Sequence, residues 1–129
     1  MILDSTFLVD FEREKKRQAP GPAYAFLQAH QDLHFCITFT IAGELAAGKS
    51  LGSERSQWLC FIQAFRILES STSVAWEFGV VFRQLQSQGK LIGANDLWIG
   101  AAGLAHGLPV VTRNAKDFER IPNLKVLCY

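Results

Sequence analysis

The chain has 129 residues, 49% of them hydrophobic and 19% charged, which predicts one globular domain over residues 1–129 rather than a disordered chain. Thirteen basic and twelve acidic side chains give a net charge of +1, so nucleic acid would have to be bound by a local patch. The apolar run at residues 97–105 is too short to span a bilayer, and Asp4 interrupts the N-terminal apolar run too early for a signal peptide.

The first predicted element is a short buried strand. Residues 1–3 form an apolar run that stops at Asp4, which marks the carboxyl end of the strand. Ser5 and Thr6 follow as candidate N-caps, because their side-chain oxygens can accept from free N–H groups in the first turn of a helix. Helical spacing continues to the charged segment 12–17, which we expect to be solvated.

The next segment predicts a helix, a strand and a second helix in that order. The Pro-Gly-Pro sequence at residues 20–22 separates the first helix from another, predicted from the spacing of residues 24–28. A second strand is expected at residues 35–37. The helix that follows it covers residues 41–49 and carries Glu44 in its first turns.

The middle of the chain predicts an aromatic helix followed by a third strand. Four residues recur at i, i+3, i+4 and i+7, the spacing of a core-facing surface: Trp58, Phe61, Ile62 and Phe65. Two of them, Trp58 and Phe61, together with Phe26, are equally compatible with a subunit interface. The third strand is expected at residues 66–68, and residues 70–73 supply caps for a helix over residues 74–85.

The last third predicts a helix over residues 95–106, a C-cap at Gly107, a strand at residues 110–111, a polar turn, and a final strand at residues 126–128. Alternating strands and helices indicate an α/β fold with a mainly parallel sheet and helices on both faces. The small residues at 100–103 indicate close packing of their helix.

The cysteines lie far apart and form no C-x-x-C pair: Cys36, Cys60 and Cys128. Each lies among apolar neighbours, so we expect buried free thiols in a reducing cytosol rather than disulfides.

Four acids occur at predicted element boundaries: Asp4, Glu44, Asp96 and Asp117. Since the carboxyl ends of parallel strands and the following helix N-termini share one edge of a sheet, all four can meet there. Converging carboxylates repel one another unless a cation neutralises them, and oxygen ligands without His or Cys suit Mg²⁺ or Mn²⁺.

Each acid also has an ordinary structural explanation. Asp96 fits a helix cap, Asp117 a turn residue and Glu44 a helix-surface acid. Asp4 is harder to explain in this way, because a carboxylate directly after a buried strand needs a partner.

Four segments resemble the motifs of PIN domains, and are most similar to those of the VapC toxins of bacterial toxin–antitoxin pairs: residues 2–10, 40–45, 93–101 and 111–118. The resemblance implies a three-layer α/β/α sandwich and a Mg²⁺- or Mn²⁺-dependent ribonuclease. It implies a catalytic and metal-binding site of Asp4, Glu44, Asp96 and Asp117, with supporting roles for four polar residues: Ser5, Thr6, Thr112 and Asn114. It also implies an RNA substrate, a cognate antitoxin, a homodimer and a cytoplasmic location.

Hydrolysis of an RNA phosphodiester needs positive groups near the acids. Arg113 and Lys116 lie within the last motif and are the candidates for phosphate binding, whereas Lys49 and the basic cluster at residues 13–17 are expected to project away. Asp10 either caps a helix or pairs with a base, and one or two metal ions fit equally well.

Two other classes of protein remain as alternatives. A PIN-like module could bind RNA or protein without cutting, although the presence of all four acids argues against it. A phosphatase or receiver domain with Asp4 as nucleophile is disfavoured, because Thr6 and Thr112 stand where such proteins need Asp and Lys.

Overall fold

A computed structural model describes all residues from Met1 to Tyr129. Its strands are β1 Ile2–Leu3, β2 Cys36–Thr38, β3 Arg66–Leu68, β4 Val110–Val111 and β5 Val126–Leu127. Its helices are α1 Ser5–Arg17, α2 Pro22–Ala29, α3 Phe39–Ala47, α4 Arg55–Ile62, α5 Thr72–Ser87, α6 Ala94–His106 and α7 Ala115–Phe118.

The five strands form one sheet in the order β3-β2-β1-β4-β5. Every pair is parallel, and Ile2 of β1 lies opposite both Cys36 of β2 and Val110 of β4. The α/β prediction is therefore confirmed, with a sheet that is entirely rather than mainly parallel. The chain winds outward from β1 to β3 and then returns to β4 and β5, so the winding direction reverses between β1 and β4. In such sheets, ligands bind outside the carboxyl ends of the strands at this reversal.

Helices cover both faces of the sheet. In the first half of the chain α1 packs against α2 and α3, and α3 against α4; in the second half α6 packs against α5 and α7, and α3 meets α6 between the two groups. Because crossovers between parallel strands are right-handed, the two groups lie on opposite faces, as a three-layer sandwich requires. Phe7 of α1 and Phe118 of α7 are almost fully buried in the core, and β1, β2 and β4 consist of buried residues.

The N-cap of α1 differs from the prediction. Asp4 occupies that position in an extended conformation, and its Oδ1 accepts a hydrogen bond from the Phe7 N–H at 2.8 Å. Ser5 and Thr6 are already helical, because β1 ends at Leu3 and leaves a single residue for the change of direction. The cap predicted for α5 is confirmed, because Ser71, within the predicted segment 70–73, caps this helix.

Two further local predictions were wrong. The segment after β4 contains the single-turn helix α7, with Asp117 inside it, where a polar turn was expected; four residues are too few for an apolar period to show. The helix α4 ends at Ile62, so Phe65 lies beyond it. Of the four predicted core residues only Ile62 is fully buried, and Trp58, Phe61 and Phe65 pack half-buried against the core.

The small residues of α6 allow close packing, as the sequence indicates. A Cβ atom at Gly100 would collide with the Cδ1 atom of Ile121, and one at Gly103 would lie 2.7 Å from the Cδ1 atom of Leu124. Both glycines are buried. At these two positions α6 packs so closely against the segment after α7 that a larger side chain would not fit.

The thiols are more exposed than expected. Cys36 is buried in β2, but Cys60 and Cys128 are exposed, because the first lies on the outer surface of α4 and the second beyond the end of the edge strand β5. All three are free. None of the helices combines the length and apolar character that crossing a membrane requires.

Candidate active site

Asp4 is held by hydrogen bonds on both of its oxygens. It is 3% exposed. The Phe7 N–H donates to Oδ1, the Thr6 hydroxyl lies 2.9 Å from each oxygen, and the Thr112 hydroxyl donates to Oδ2 at 2.6 Å. Burial raises the pKa of Asp4 above its ordinary value, and these hydrogen bonds only partly offset that effect.

Thr112 connects Asp4 to the neighbouring strand. It follows β4, is fully buried, and accepts a hydrogen bond from the Asn114 backbone N–H at 2.9 Å while it donates to Asp4. This contact spans the gap between β1 and β4, where the winding of the sheet reverses. This hydroxyl group therefore adds a side-chain contact to the backbone pairing of β1 and β4 and fixes the orientation of the Asp4 carboxylate.

Glu44 of α3 meets Asn95 at the start of α6. The Asn95 side-chain amide donates to Glu44 Oε1 at 2.7 Å. The second oxygen, Oε2, is buried and has no hydrogen-bond partner. Since an unpartnered buried acceptor costs free energy, this oxygen has capacity for a donor or a cation.

Asp96 lies in the first turn of α6 without capping it. Gly93 is the N-cap, and no side chain donates or accepts there. Burial raises the pKa of Asp96, and the negative charges of Glu44, Asp117 and Asp4 raise it further, in that order. The structure thus brings the other three predicted acids near enough to Asp96 for their charges to disfavour its ionised form.

The cluster of acids is loose. Asp117 is half-buried in α7 and also faces Arg120, with 3.6 Å between the charged atoms. As the side chains stand, no three acidic, histidine or cysteine groups converge closely enough to hold one metal ion together. The site is a set of oxygen donors distributed around one edge of the sheet.

The predicted supporting residues differ in what they contribute. Thr6 and Thr112 donate to Asp4, whereas Asn114 offers its backbone N–H to Thr112 and its side chain caps nothing. Ser5 and Glu44 line a common pocket of about 340 Å³. Lys116 is exposed and forms no ion pair.

Asp10 pairs with basic side chains rather than capping a helix. Its Oδ2 lies 2.7 Å from Arg113 Nη1 and accepts from the Tyr129 hydroxyl at 3.0 Å. Its Oδ1 lies 3.7 Å from Arg13 Nη1. Burial raises the pKa of the Tyr129 phenol, and its hydrogen bond to Asp10 raises that pKa further.

The expectation that the basic groups on α1 and at the end of α3 project away from the site was wrong for three of them, Arg13, Arg17 and Lys49. Arg13 and Arg17 line a pocket together with Arg113, because α1 passes beside the residues that follow β4. Lys49 lines the same pocket as Glu44.

Sequence reasoning missed Asn95 and Tyr129. The signal for Asn95 was an amide directly before an acid in the first turn of a helix. No sequence signal points to Tyr129, since its contact with Asp10 joins residues 119 positions apart.

The parallel sheet, with acids where its winding reverses, places the chain in the class of α/β proteins that bind ligands at the carboxyl ends of their strands. Comparison with known proteins identifies the family. Residues 1–124 match the family model described as the PIN domain, and the chain belongs to the PIN-domain family. This confirms the resemblance indicated by the four sequence motifs.

The relatives place the chain more narrowly. It is 35% identical over 94 residues to the ribonuclease VapC2 of Haemophilus influenzae, covering 70% of this chain and 71% of the relative. It is 34% identical over 95 residues to the tRNA(fMet)-specific endonuclease VapC of Salmonella typhimurium, covering 70% and 72%. The crystal structure of DNA-bound VapBC from Salmonella typhimurium matches with a TM-score of 0.83 and 27% identity over 98% of this chain and 96% of that chain. The chain is a toxin ribonuclease of the VapC type within the PIN-domain family.

Proposed function

We propose that this VapC-type protein is a Mg²⁺- or Mn²⁺-dependent endoribonuclease that hydrolyses RNA phosphodiester bonds at Asp4, Glu44, Asp96 and Asp117. The observation that carries the proposal is the placement of the four acids around the winding reversal of the sheet, after β1, on α3, on α6 and on α7; in keeping with that placement, the charges of the other three raise the pKa of Asp96. Like charges gathered in a crevice favour the binding of a divalent cation.

Three features support a metal ion. All four acids supply oxygen, the donor that Mg²⁺ and Mn²⁺ prefer. Glu44 Oε2 is buried without a partner. Burial disfavours the charged forms of Asp4 and Asp96 and raises their pKa values, an effect that a nearby cation would offset. The separation of the side chains requires that some of them rotate toward a shared ion.

The four acids would bind the metal in two ways. Asp4, whose orientation is fixed by Thr6 and Thr112, and Asp96 are the proposed direct ligands. Glu44 and Asp117 would bind through water or complete a second metal site. When bound, a divalent ion polarises the scissile phosphate and lowers the pKa of its water, so no side chain need act as nucleophile.

Positive side chains near the acids would hold the substrate. Arg113 follows Thr112 directly, and Lys116 is exposed in α7 next to Asp117. Arg113 is already paired with Asp10 on one side, but its side chain is 65% exposed and retains N–H groups for a phosphate. Lys116 has no ion pair to break before it contacts RNA.

A cognate antitoxin, a homodimer and a cytoplasmic location complete the proposal. The VapBC complex that this chain resembles supports the antitoxin. Aromatic side chains on α5 and α6 support a subunit interface, since Trp98 stacks on Phe78 at 4.0 Å and Trp76 is 67% exposed. Free thiols and an RNA substrate suit the cytoplasm.

Cleavage of RNA by the purified protein tests the proposal. We expect loss of full-length tRNA(fMet), the RNA in the Salmonella relative's name, or of another cellular RNA with Mg²⁺ or Mn²⁺, and no loss with EDTA. The double variant Asp4→Asn, Asp96→Asn should lose activity, whereas Asp32→Asn, in an exposed loop, should retain it. Equal cleavage by the double variant would show that the site is assigned to the wrong residues.

A further inference from the structure

A polar pocket lies beside the acidic site, between α1 and the residues that follow β4 and β5. Its volume is about 390 Å³. Its polar lining consists of three arginines, two acids and the last residue of the chain: Arg13, Arg17, Arg113, Asp10, Glu14 and Tyr129. We call it the arginine pocket.

One of the two acids is already held by hydrogen bonds from another element. The Glu14 carboxylate accepts hydrogen bonds from the backbone N–H groups of Ala23 at 3.1 Å and Tyr24 at 2.8 Å. These groups belong to the first turn of α2, whose positive end stabilises a negative charge. Glu14 is therefore oriented toward α2 and forms no ion pair with the arginines.

The two acids cannot balance three guanidinium groups. Asp10 pairs closely with Arg113 and more loosely with Arg13, at 2.7 Å and 3.7 Å. Arg17 is exposed and forms no ion pair. The arginine pocket thus carries excess positive charge in a chain whose overall net charge is only +1.

The arginine pocket adjoins the acidic site. Arg113 directly follows Thr112, whose hydroxyl donates to Asp4. The Tyr129 ring packs edge-on against Phe7, with 4.5 Å between ring centroids, and its hydroxyl donates to Asp10. Arg13 lies nine residues beyond Asp4 on α1, which is about 13 Å along a helix that rises 1.5 Å per residue.

We propose that the arginine pocket binds a backbone phosphate of the RNA strand that flanks the scissile bond. The inference rests on the proposed ribonuclease function. Guanidinium groups bind phosphate with two parallel N–H···O bonds, which suits arginine better than lysine for this task. RNA fits better than an acidic polypeptide, because an extended strand with regularly spaced phosphates reaches the acids and the pocket at once.

The double variant Arg13→Ala, Arg17→Ala tests the proposal, because it leaves Arg113 and the acids in place. We expect weaker binding of a short fluorescein-labelled single-stranded RNA, measured by anisotropy in EDTA so that no cleavage occurs. The slope of log affinity against log salt should become less steep by about 0.7 for each phosphate that the variant no longer neutralises. In cleavage assays with Mg²⁺ or Mn²⁺, KM should rise severalfold while kcat stays near the wild-type value.

The matched control is Arg55→Ala, Arg83→Ala, which removes the same charge from exposed positions outside the arginine pocket. Circular dichroism and thermal unfolding check that both variants fold. If the wild type binds and cleaves RNA and the two double variants behave alike, the pocket proposal fails and the ribonuclease function stands. If the wild type neither binds nor cleaves RNA, both fail. Binding of poly-L-glutamate, abolished only in the pocket variant while RNA binding is unchanged, would assign the pocket to an acidic polypeptide and overturn the proposal.

Discussion

At the scale of single residues, the site depends on polar side chains that hold the acids in place. Thr112 and Thr6 direct Asp4, and Asn95 directs Glu44. Asn95 donates to Oε1 of Glu44, and the other carboxylate oxygen, Oε2, is buried without a hydrogen-bond partner. Asn95 therefore decides which way the free oxygen of Glu44 points.

Replacement of Asn95 tests this positioning role. We expect Asn95→Ala to lower Mn²⁺ affinity and kcat roughly tenfold, at the lower end of the effect of residues that orient metal ligands. Asn95→Asp should be worse, because it places a second negative charge against Glu44. Calorimetric Mn²⁺ titration and single-turnover cleavage give the two quantities, and KM for RNA should stay unchanged.

The stability of the same variants separates positioning from folding. Asn95 is exposed, so the free energy of unfolding should change by less than about 1 kcal/mol. Wild-type Mn²⁺ affinity and kcat in Asn95→Ala would show that Glu44 needs no such support.

At the scale of elements, α6 illustrates how the same substitution can have opposite effects. Gly103 is buried, and a Cβ there would lie 2.7 Å from Leu124 Cδ1 and 3.1 Å from the Leu108 carbonyl oxygen. Gly43 in α3 has nothing within 4 Å of such a Cβ. Both lie inside helices, where alanine is favoured over glycine by about 1 kcal/mol.

We therefore expect Gly43→Ala to stabilise the protein by about 0.5–1 kcal/mol. Gly103→Ala should destabilise it by about 1–2 kcal/mol, because overpacking against a backbone oxygen outweighs the gain in helix propensity. Urea unfolding followed by circular dichroism measures both. A stabilised Gly103→Ala variant would show that α6 has room to move away from Leu124.

The elements that the sequence predicts well are those whose signal is local. Apolar runs at the strands and helical spacing in α5 and α6 depend only on neighbouring residues, so the parallel α/β order was predictable. The four residues of α7 are too few to show the 3.6-residue spacing of apolar side chains from which a helix is predicted. The cap of α1 was missed because Asp4, Ser5 and Thr6 are all good cap residues, and only the end of β1 decides among them.

The contacts of the site were less predictable than its members. The four acids could be expected at one edge, since topology alone brings strand ends together. The bond from Thr112 to Asp4 joins residues 108 positions apart, and the contact between Tyr129 and Asp10 joins residues 119 apart. Such pairs depend on the strand order, which no local pattern records. The orientation of Arg13 and Arg17 likewise depends on what α1 packs beside.

At the scale of the whole molecule, the fold concentrates negative charge at one place although the chain is nearly neutral. The reversal of winding between β1 and β4 opens the crevice, and α3, α6 and α7 bring their acids to it. Burial and mutual repulsion raise the pKa values of Asp4 and Asp96. Without divalent ions, the native state therefore keeps a destabilising feature that its proposed cofactor would relieve.

The pH dependence of stability follows from the direction of these shifts. A carboxyl group with a raised pKa in the folded state favours folding below its unfolded pKa, and that contribution is lost as pH rises through the folded pKa. In EDTA, we expect the wild type to lose stability relative to Asp96→Asn as pH rises above the ordinary carboxyl pKa of 3.8, because the variant removes one of the repelling charges. At neutral pH in EDTA, Asp96→Asn should therefore have the higher Tm.

With Mg²⁺, the wild type should instead have a higher Tm than Asp96→Asn. A ligand that binds only the folded state at a hundred times its Kd adds about 2.7 kcal/mol, and the wild type should gain this while Asp96→Asn gains far less. Thermal unfolding of both proteins and of the exposed control Asp32→Asn, with Mg²⁺ and with EDTA, measures the effect. If Mg²⁺ raised Tm equally in all three, binding at the acidic cluster would be excluded as the source. If Asp96→Asn were the less stable protein in EDTA, repulsion among the four acids would not be the dominant interaction at this edge of the sheet.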